Sequence, residues 1–103
     1  MLDSAGIIKS IVKKLLPSAK VILFGSRARG NYNPKSDYDV LIITPDLPDN
    51  NLRKSIITTL SKELVKALRA PVDVLLNSEA EVTANVKLPG HIIRWAVKEG
   101  VQL

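Results

Sequence analysis

Two short apolar segments, Val21 to Phe24 and Val40 to Ile43, constrain the fold of this chain more than any other feature. Each has the length and the branched aliphatic composition of a buried strand. The segment that joins them carries glycine, serine, arginine and aspartate residues, which is more chemistry than a hairpin loop requires. We therefore predict two neighbouring strands with a functional insert between them.

The two ends of the insert are predicted to meet at one edge of the sheet. Gly25 and Ser26 follow the first strand, and Asp37 and Asp39 begin the second. In an antiparallel pair, the end of one strand and the start of the next lie at the same edge. Alternate residues of a strand point to the same face, so Asp37 and Asp39 become neighbours. Because adjacent carboxylates repel each other, a hard cation such as Mg²⁺ is the natural explanation for the pair.

The turn at Gly25 and Ser26 is a candidate anion site. Backbone N–H groups at a glycine-led turn that opens a helix bind anions, so a triphosphate fits there beside a metal held by the aspartates. A turn that only caps a short helix is the alternative, and the nearby Asp37 and Asp39 favour the anion site. Ser36 has two interpretations: it helps to hold the phosphate, or it stabilises the turn before the second strand.

Helical periodicity fills most of the remaining chain. The predicted helices run from a cap at Ser4 to Pro17, from Arg27 to Gly30, from Asn51 or Leu52 to about Ala70, from Ser78 to Asn85 and from about Pro89 to Glu99, with an edge strand at Val101 to Leu103. The last of these helices is expected to turn Ile92, Ile93, Ala96 and Val97 inward.

A third strand is predicted at Val72 to Leu76, after the long helix. Crossovers of this kind are right-handed and make the connected strands parallel. Asp73, near the start of the third strand, is then brought to the edge that holds Asp37 and Asp39. A strand-entry acid at a solvent edge is the alternative interpretation of Asp73.

The composition indicates a small, ordered, aliphatic α/β core. The 103 residues allow a single domain over residues 1–103, and 46% hydrophobic content with one Trp, two Tyr and one Phe argues against disorder. Such a core is expected to fold alone or as a homo-oligomer. The absence of cysteine excludes disulfides, and no apolar segment approaches the roughly 18 residues of a membrane span. We therefore expect a cytoplasmic protein without a membrane partner.

The chain is basic, with a formal net charge of +5 and a pI of about 9.7. This charge suits a phosphate-bearing ligand such as a nucleotide. The Lys and Arg residues are scattered, without basic runs or interleaved aromatics. A solvated basic surface is therefore favoured over a nucleic-acid groove, and specific nucleic-acid binding is not expected.

The insert carries a complete family signature. The pattern G-S-x-x-R-G followed by S-D-x-D consists here of Gly25, Ser26, Arg29, Gly30, Ser36, Asp37 and Asp39. It resembles the signature of the DNA polymerase beta nucleotidyltransferase superfamily. The closest resemblance is to its smallest prokaryotic members, the minimal nucleotidyltransferases, which are often paired with a helical HEPN protein. Asp73 supplies the third carboxylate that this family expects on a later strand.

The resemblance implies a small mixed sheet with helices mainly on one face, and a specific chemistry. An acceptor hydroxyl would attack the α-phosphorus of a nucleoside triphosphate, ATP by preference, and release pyrophosphate. The catalytic and metal-binding residues it implies, for two Mg²⁺ ions, are Asp37, Asp39 and Asp73; the nucleotide-binding residues are Gly25, Ser26, Arg29 and Ser36. The implied acceptor is a tyrosine of a HEPN-type toxin, and the chain would then act as an antitoxin. A non-catalytic antitoxin that blocks its partner by contact is the alternative.

Several aromatic side chains are not assigned to the site. Tyr38 lies between the aspartates in sequence and is expected to face the opposite way, against a helix. Tyr32 remains open between a surface aromatic, a base-stacking platform and a partner contact. His91 is expected at the surface or against a partner, and Trp95 at the rim of the domain.

Overall fold

The computed structural model describes residues 3–33, 35–46 and 49–103. Its helices are α1 (Ser4–Leu15), α2 (Ser26–Arg29), α3 (Asn50–Leu68), α4 (Glu79–Asn85) and α5 (Ile92–Glu99). Its strands are β1 (Lys20–Phe24), β2 (Tyr38–Thr44), β3 (Val72–Ser78) and β4 (Val101–Gln102). Among these residues, no helix is both long and apolar enough to span a membrane.

The four strands form one mixed sheet in the order β3-β2-β1-β4. β1 pairs antiparallel with β2 and with β4, whereas β2 pairs parallel with β3 after the crossover through α3. The predicted fold class is therefore confirmed. β2 lies in the interior of the sheet, which explains why it reads as a continuous apolar run rather than an alternating one.

Alternate residues of the strands enter two separate cores. One core contains Val21, Val40 and Ile42 and is covered by α1 and α3. The other contains Phe24 and Leu41 and is covered by α5, with α4 beside it. The two long helices thus share one face and the two short helices cover the other, so the helices are divided between both faces and not mainly confined to one.

The beginning of α1 differs from the prediction. Its N-cap is Asp3, whose carboxylate accepts a hydrogen bond of 2.8 Å from the N–H of Gly6. Ser4 is the first helical residue, and its hydroxyl instead lies 3.0 Å from the hydroxyl of Tyr38. Asp3 directly precedes Ser4 in the sequence, and the buried Tyr38 engages Ser4 in a contact between α1 and β2. Tyr38 packs on the helix side of the sheet, as predicted.

The beginning of α5 also differs from the prediction. His91 is the N-cap, because its Nδ1 atom accepts a hydrogen bond of 3.1 Å from the N–H of Ile93. The helix therefore starts at Ile92 rather than near Pro89. Ile93 and Ala96 are buried, but Ile92 and Val97 are 49% and 41% exposed, so the expectation that these two face inward was wrong.

The helix predicted from Ser78 to Asn85 is confirmed as α4, and its N-cap ties two helices together. Ser78 and Glu81 form a reciprocal capping box. Glu81 also pairs with Arg53 of α3, whose guanidinium donates to the carbonyl of Leu76 at 2.9 Å. These contacts fix the starts of α3 and α4 to the end of β3.

Candidate active site

The carboxylate of Asp39 lies directly against the backbone of Gly25. Gly25 is buried, follows β1 and is the N-cap of α2, with φ of +75° and ψ of −159°. This is a backbone conformation that essentially only glycine adopts. A Cβ atom at this position would lie 2.2 Å from Oδ2 of Asp39. The turn and the carboxylate therefore form one compact unit in which a side chain has no room.

Two predicted carboxylates occupy the same level of the sheet. Asp39 is opposite Phe24 across the antiparallel pair and opposite Asp73 across the parallel pair. Asp39 is partly buried, whereas Asp73 is exposed. The predicted juxtaposition of these two side chains at one sheet edge follows from this register.

Asp37 lies just before β2 rather than on it, because the strand begins at Tyr38. Its side chain is exposed. It remains close enough for its charge to act on Asp39. The structure thus brings Asp37, Asp39 and Asp73 into one electrostatic cluster, with Asp39 at its centre.

The environment of Asp39 disfavours its charged form. Burial is the largest cause of a raised pKa at this carboxyl, followed by the negative charges of Asp73 and Asp37. A hydrogen bond with Asp73 also raises the pKa, and the positive charge of Arg29 lowers it. A cation placed among these carboxylates would relieve the repulsion that raises the pKa.

The donor set fits a metal ion only if a substrate completes its coordination. In residues 3–33, 35–46 and 49–103, no group of three or more His, Cys, Asp or Glu side chains is gathered closely enough to enclose a metal ion. Mg²⁺ is commonly held by one or two carboxylates together with water and substrate phosphates. Asp37, Asp39 and Asp73, with the Gly25 turn beside them, match that kind of site rather than an all-protein cage.

Arg27 organises the insert, a role that the sequence pattern did not reveal. Its guanidinium lies 4.1 Å from the ring centroid of Tyr38 and 4.5 Å from that of Tyr32. It also donates through Nε and Nη2 to the carbonyl of Ser36, at 3.2 and 3.0 Å. The signal in the sequence was the two tyrosines available to Arg27, Tyr32 within the polar insert and Tyr38 at the start of β2. Arg27 therefore clamps the segment that leads into Asp37.

Ser36 takes part in the turn before β2. Its hydroxyl accepts a hydrogen bond of 3.1 Å from the N–H of Asn33, and its own N–H donates to the carbonyl of Asn33 at 3.0 Å. The side chain of Asn33 accepts a further bond from the N–H of Lys35. These contacts favour the turn-stabilising interpretation of Ser36.

Arg29 interacts both with Asp39 and with Trp95 of α5. Its guanidinium carbon is 5.6 Å from the ring centroid of Trp95. The indole of Trp95 packs edge-to-face on Phe24, with ring centroids 5.8 Å apart and planes at 85°. Trp95 is 42% exposed and sits at the rim of the second core, as expected.

Comparison with known proteins identifies the family. The profile of the nucleotidyltransferase domain matches residues 6–99, nearly the whole chain. The chain belongs to the nucleotidyltransferase domain family. A curated relative, from Methanocaldococcus jannaschii and named as a candidate protein adenylyltransferase, is 42% identical over 59 residues, 57% of this chain. That match spans 58% of the relative's length.

Solved structures share the fold of this nucleotidyltransferase domain. A toxin–antitoxin crystallised with AMP-PNP has a TM-score of 0.68 at 23% identity, over 98% of this chain and 72% of that one. A complex of a tri-AMPylated HEPN toxin with an MNT antitoxin from Shewanella oneidensis has a TM-score of 0.58 at 20% identity, over 96% and 67% of the two chains. At these identities, the likeness establishes the fold.

Proposed function

We propose that this chain is a Mg²⁺-dependent nucleotidyltransferase that transfers AMP from ATP to a hydroxyl group. The observation that carries the proposal is the contact of Asp39 with the Gly25 turn. Aspartate is a residue type that binds divalent cations, and a glycine turn is a site at which phosphates bind. In this structure the two are in direct contact. Asp73 and Asp37 add negative charge on either side of this contact.

The proposed reaction is an in-line displacement at phosphorus. The acceptor oxygen forms a bond to the α-phosphorus while the bond from that phosphorus to the bridging β-phosphate oxygen breaks, and pyrophosphate leaves. Asp73 is exposed beside Asp39, so it is the carboxylate that we assign to receive the proton of the acceptor hydroxyl. Bound Mg²⁺ would neutralise the phosphates, and Asp37, Asp39 and Asp73 are the residues that would hold it.

Gly25 and Ser26 are proposed to receive the β- and γ-phosphates. Because residue 25 has no side chain, the carboxylate of Asp39 can lie directly against the main chain there. A cation held by Asp39 would then lie beside the backbone N–H groups of the turn that we propose bind the phosphates. Arg29 is exposed at the end of α2, and its positive charge would attract a phosphate. Positioning and charge neutralisation are sufficient for this class of chemistry.

The acceptor that we propose is a tyrosine hydroxyl of a HEPN-type toxin, which makes the chain an antitoxin. Support comes from the solved complex of an AMPylated HEPN toxin with an MNT antitoxin, which shares the fold of this chain. The name of the curated relative, a protein adenylyltransferase, supports a protein as the acceptor.

The test is transfer of label from α-³²P-ATP. The purified chain, Mg²⁺ and a HEPN-type protein encoded beside it are incubated, and the labelled residue is mapped by mass spectrometry. We expect a labelled tyrosine with the wild type and none with Asp39→Asn. Asp46→Asn, an exposed acid beyond the opposite end of β2, serves as the matched control and should retain activity. A stable complex that inhibits the toxin without any transfer would contradict the proposed enzymatic activity and would support a non-catalytic antitoxin.

A further inference from the structure

The candidate site opens toward the face of the sheet that α5 covers. Tyr38 and Val40 of β2 enter the core beneath α1 and α3, whereas Leu41 enters the core beneath α5. Because side chains alternate along a strand, Asp39 points to the α5 side. A nucleotide whose phosphates lie at Asp39 and Gly25 is therefore adjacent to α5 rather than to α1 or α3.

Trp95 is the aromatic residue of α5 that adjoins this site. Its ring packs on Phe24, which is both the residue before Gly25 and the register partner of Asp39. The contact with Phe24 holds the indole at a defined place, while 42% of the residue stays exposed. A large aromatic surface is thus exposed to solvent next to Phe24, the residue that directly precedes the proposed phosphate turn.

Arg29 connects the aromatic ring to the carboxylates. Its guanidinium is within the roughly 6 Å at which a cation interacts with an aromatic ring. The same positive charge acts on Asp39. Arg29 therefore interacts with both the carboxylate and the indole. A nucleoside triphosphate whose phosphates lie near Arg29 would have its metal close to Asp39 and its base within reach of Trp95.

We propose that the exposed indole of Trp95 is the platform on which the nucleobase of the bound triphosphate stacks. This inference rests on the proposed function and specifies how that site holds the non-reacting end of its substrate. Bases stack on aromatic side chains through their π-faces, and loss of one such contact weakens binding measurably. The short chain supplies this platform from α5, next to the turn that receives the phosphates.

The experiment compares ATP with inorganic tripolyphosphate, which carries the same phosphates and no base. Trp95 is the single tryptophan of the chain, so its fluorescence reports on this position alone. With the wild type and Mg²⁺, we expect ATP to quench the emission and tripolyphosphate to bind with little quenching. In calorimetry, Trp95→Ala should bind ATP about tenfold more weakly, in line with the usual value of a stacked base. Its affinity for tripolyphosphate should be unchanged.

Two further variants separate stacking from folding. Trp95→Phe retains an aromatic face and should recover most of the ATP affinity. Val97→Ala, on another face of α5 and with a nearly equal exposure of 41%, should bind both ligands like the wild type. Thermal melting and circular dichroism verify that each variant is folded.

Each other outcome has a defined meaning. Equal loss of ATP and tripolyphosphate affinity in Trp95→Ala would mean that the ring only supports Phe24 and the turn, and the inference would be wrong. Unchanged ATP affinity with reduced transfer would mean that Trp95 contacts the acceptor protein instead of the base. That result would also overturn the inference. If the wild type binds neither ligand, the proposed function itself fails together with the inference. If the wild type binds both and Trp95→Ala does too, only the inference fails.

Discussion

Oδ2 of Asp39 occupies the space that a Cβ atom at Gly25 would need, at a separation of 2.2 Å. The side chain that is central to the proposed metal site and the turn that is proposed to receive the phosphates therefore depend on each other. A substitution at either residue therefore alters the packing of the other. The first two predictions depend on this contact.

Gly25→Ala is expected to destabilise the fold by at least about 2 kcal/mol, because a strained backbone conformation and a collision act together. Gly30→Ala is the matched control. Gly30 also has a positive φ, of +81°, but no atom lies within 4 Å of its would-be Cβ. Its replacement should cost about 1 kcal/mol, from backbone strain alone. Urea unfolding measures both, and equal losses would contradict the collision. The double variant Gly25→Ala/Asp39→Ala should recover part of the stability.

Asp39→Asn is expected to abolish transfer, by about a hundredfold or more, and to stabilise the ligand-free protein at neutral pH. The pKa of Asp39 is raised from 3.8 in the folded state, so the folded protein resists its ionisation. The stability that this carboxyl contributes is present below pH 3.8 and is lost as the pH rises through the folded-state pKa. The variant should therefore melt above the wild type at pH 7, and the difference should vanish near pH 3. A variant that melts below the wild type at pH 7 would refute the electrostatic account.

Arg27→Ala is expected to loosen the insert and to destabilise the protein by about 1–2 kcal/mol, because two aromatic contacts and the bonds to Ser36 are lost. Arg27→Lys should recover little, since an ammonium cannot lie flat between Tyr32 and Tyr38. Hydrogen exchange of residues 31–37 should accelerate in both variants. Lys35→Ala, an exposed change in the same insert, is the control and should leave exchange unchanged. Unaltered hydrogen exchange in Arg27→Ala would show that Arg27 does not hold the insert in place.

ATP is expected to bind at least tenfold more tightly with Mg²⁺ than in excess EDTA. Without the ion, a triphosphate faces the like charges of Asp37, Asp39 and Asp73, and with it the two anionic groups are bridged. Calorimetry with the wild type and with Asp39→Asn tests this, because the variant should lose most of the dependence on Mg²⁺. Equal wild-type affinity in EDTA and in Mg²⁺ would count against the metal assignment.

Much of the fold and the core of the candidate site were predictable because they depend on local patterns and on chain connectivity. Apolar runs of strand length located β1 and β2, and helical spacing located α3. The capping box at Ser78 was readable within one turn of helix. The right-handed crossover then left one arrangement for β3, which placed Asp73 beside Asp39 without any knowledge of side-chain packing.

The tertiary structure alone decided which partners the side chains take. Asp3 rather than Ser4 caps α1 because Tyr38 of a distant strand engages Ser4. Arg27 became a clamp only once Tyr38 and Tyr32 closed around it. The placement of Trp95 against Phe24 and Arg29 depends on how α5 crosses the sheet. Local sequence restricts the backbone within a few residues, whereas contacts between distant elements are selected by packing, which is a property of the whole fold.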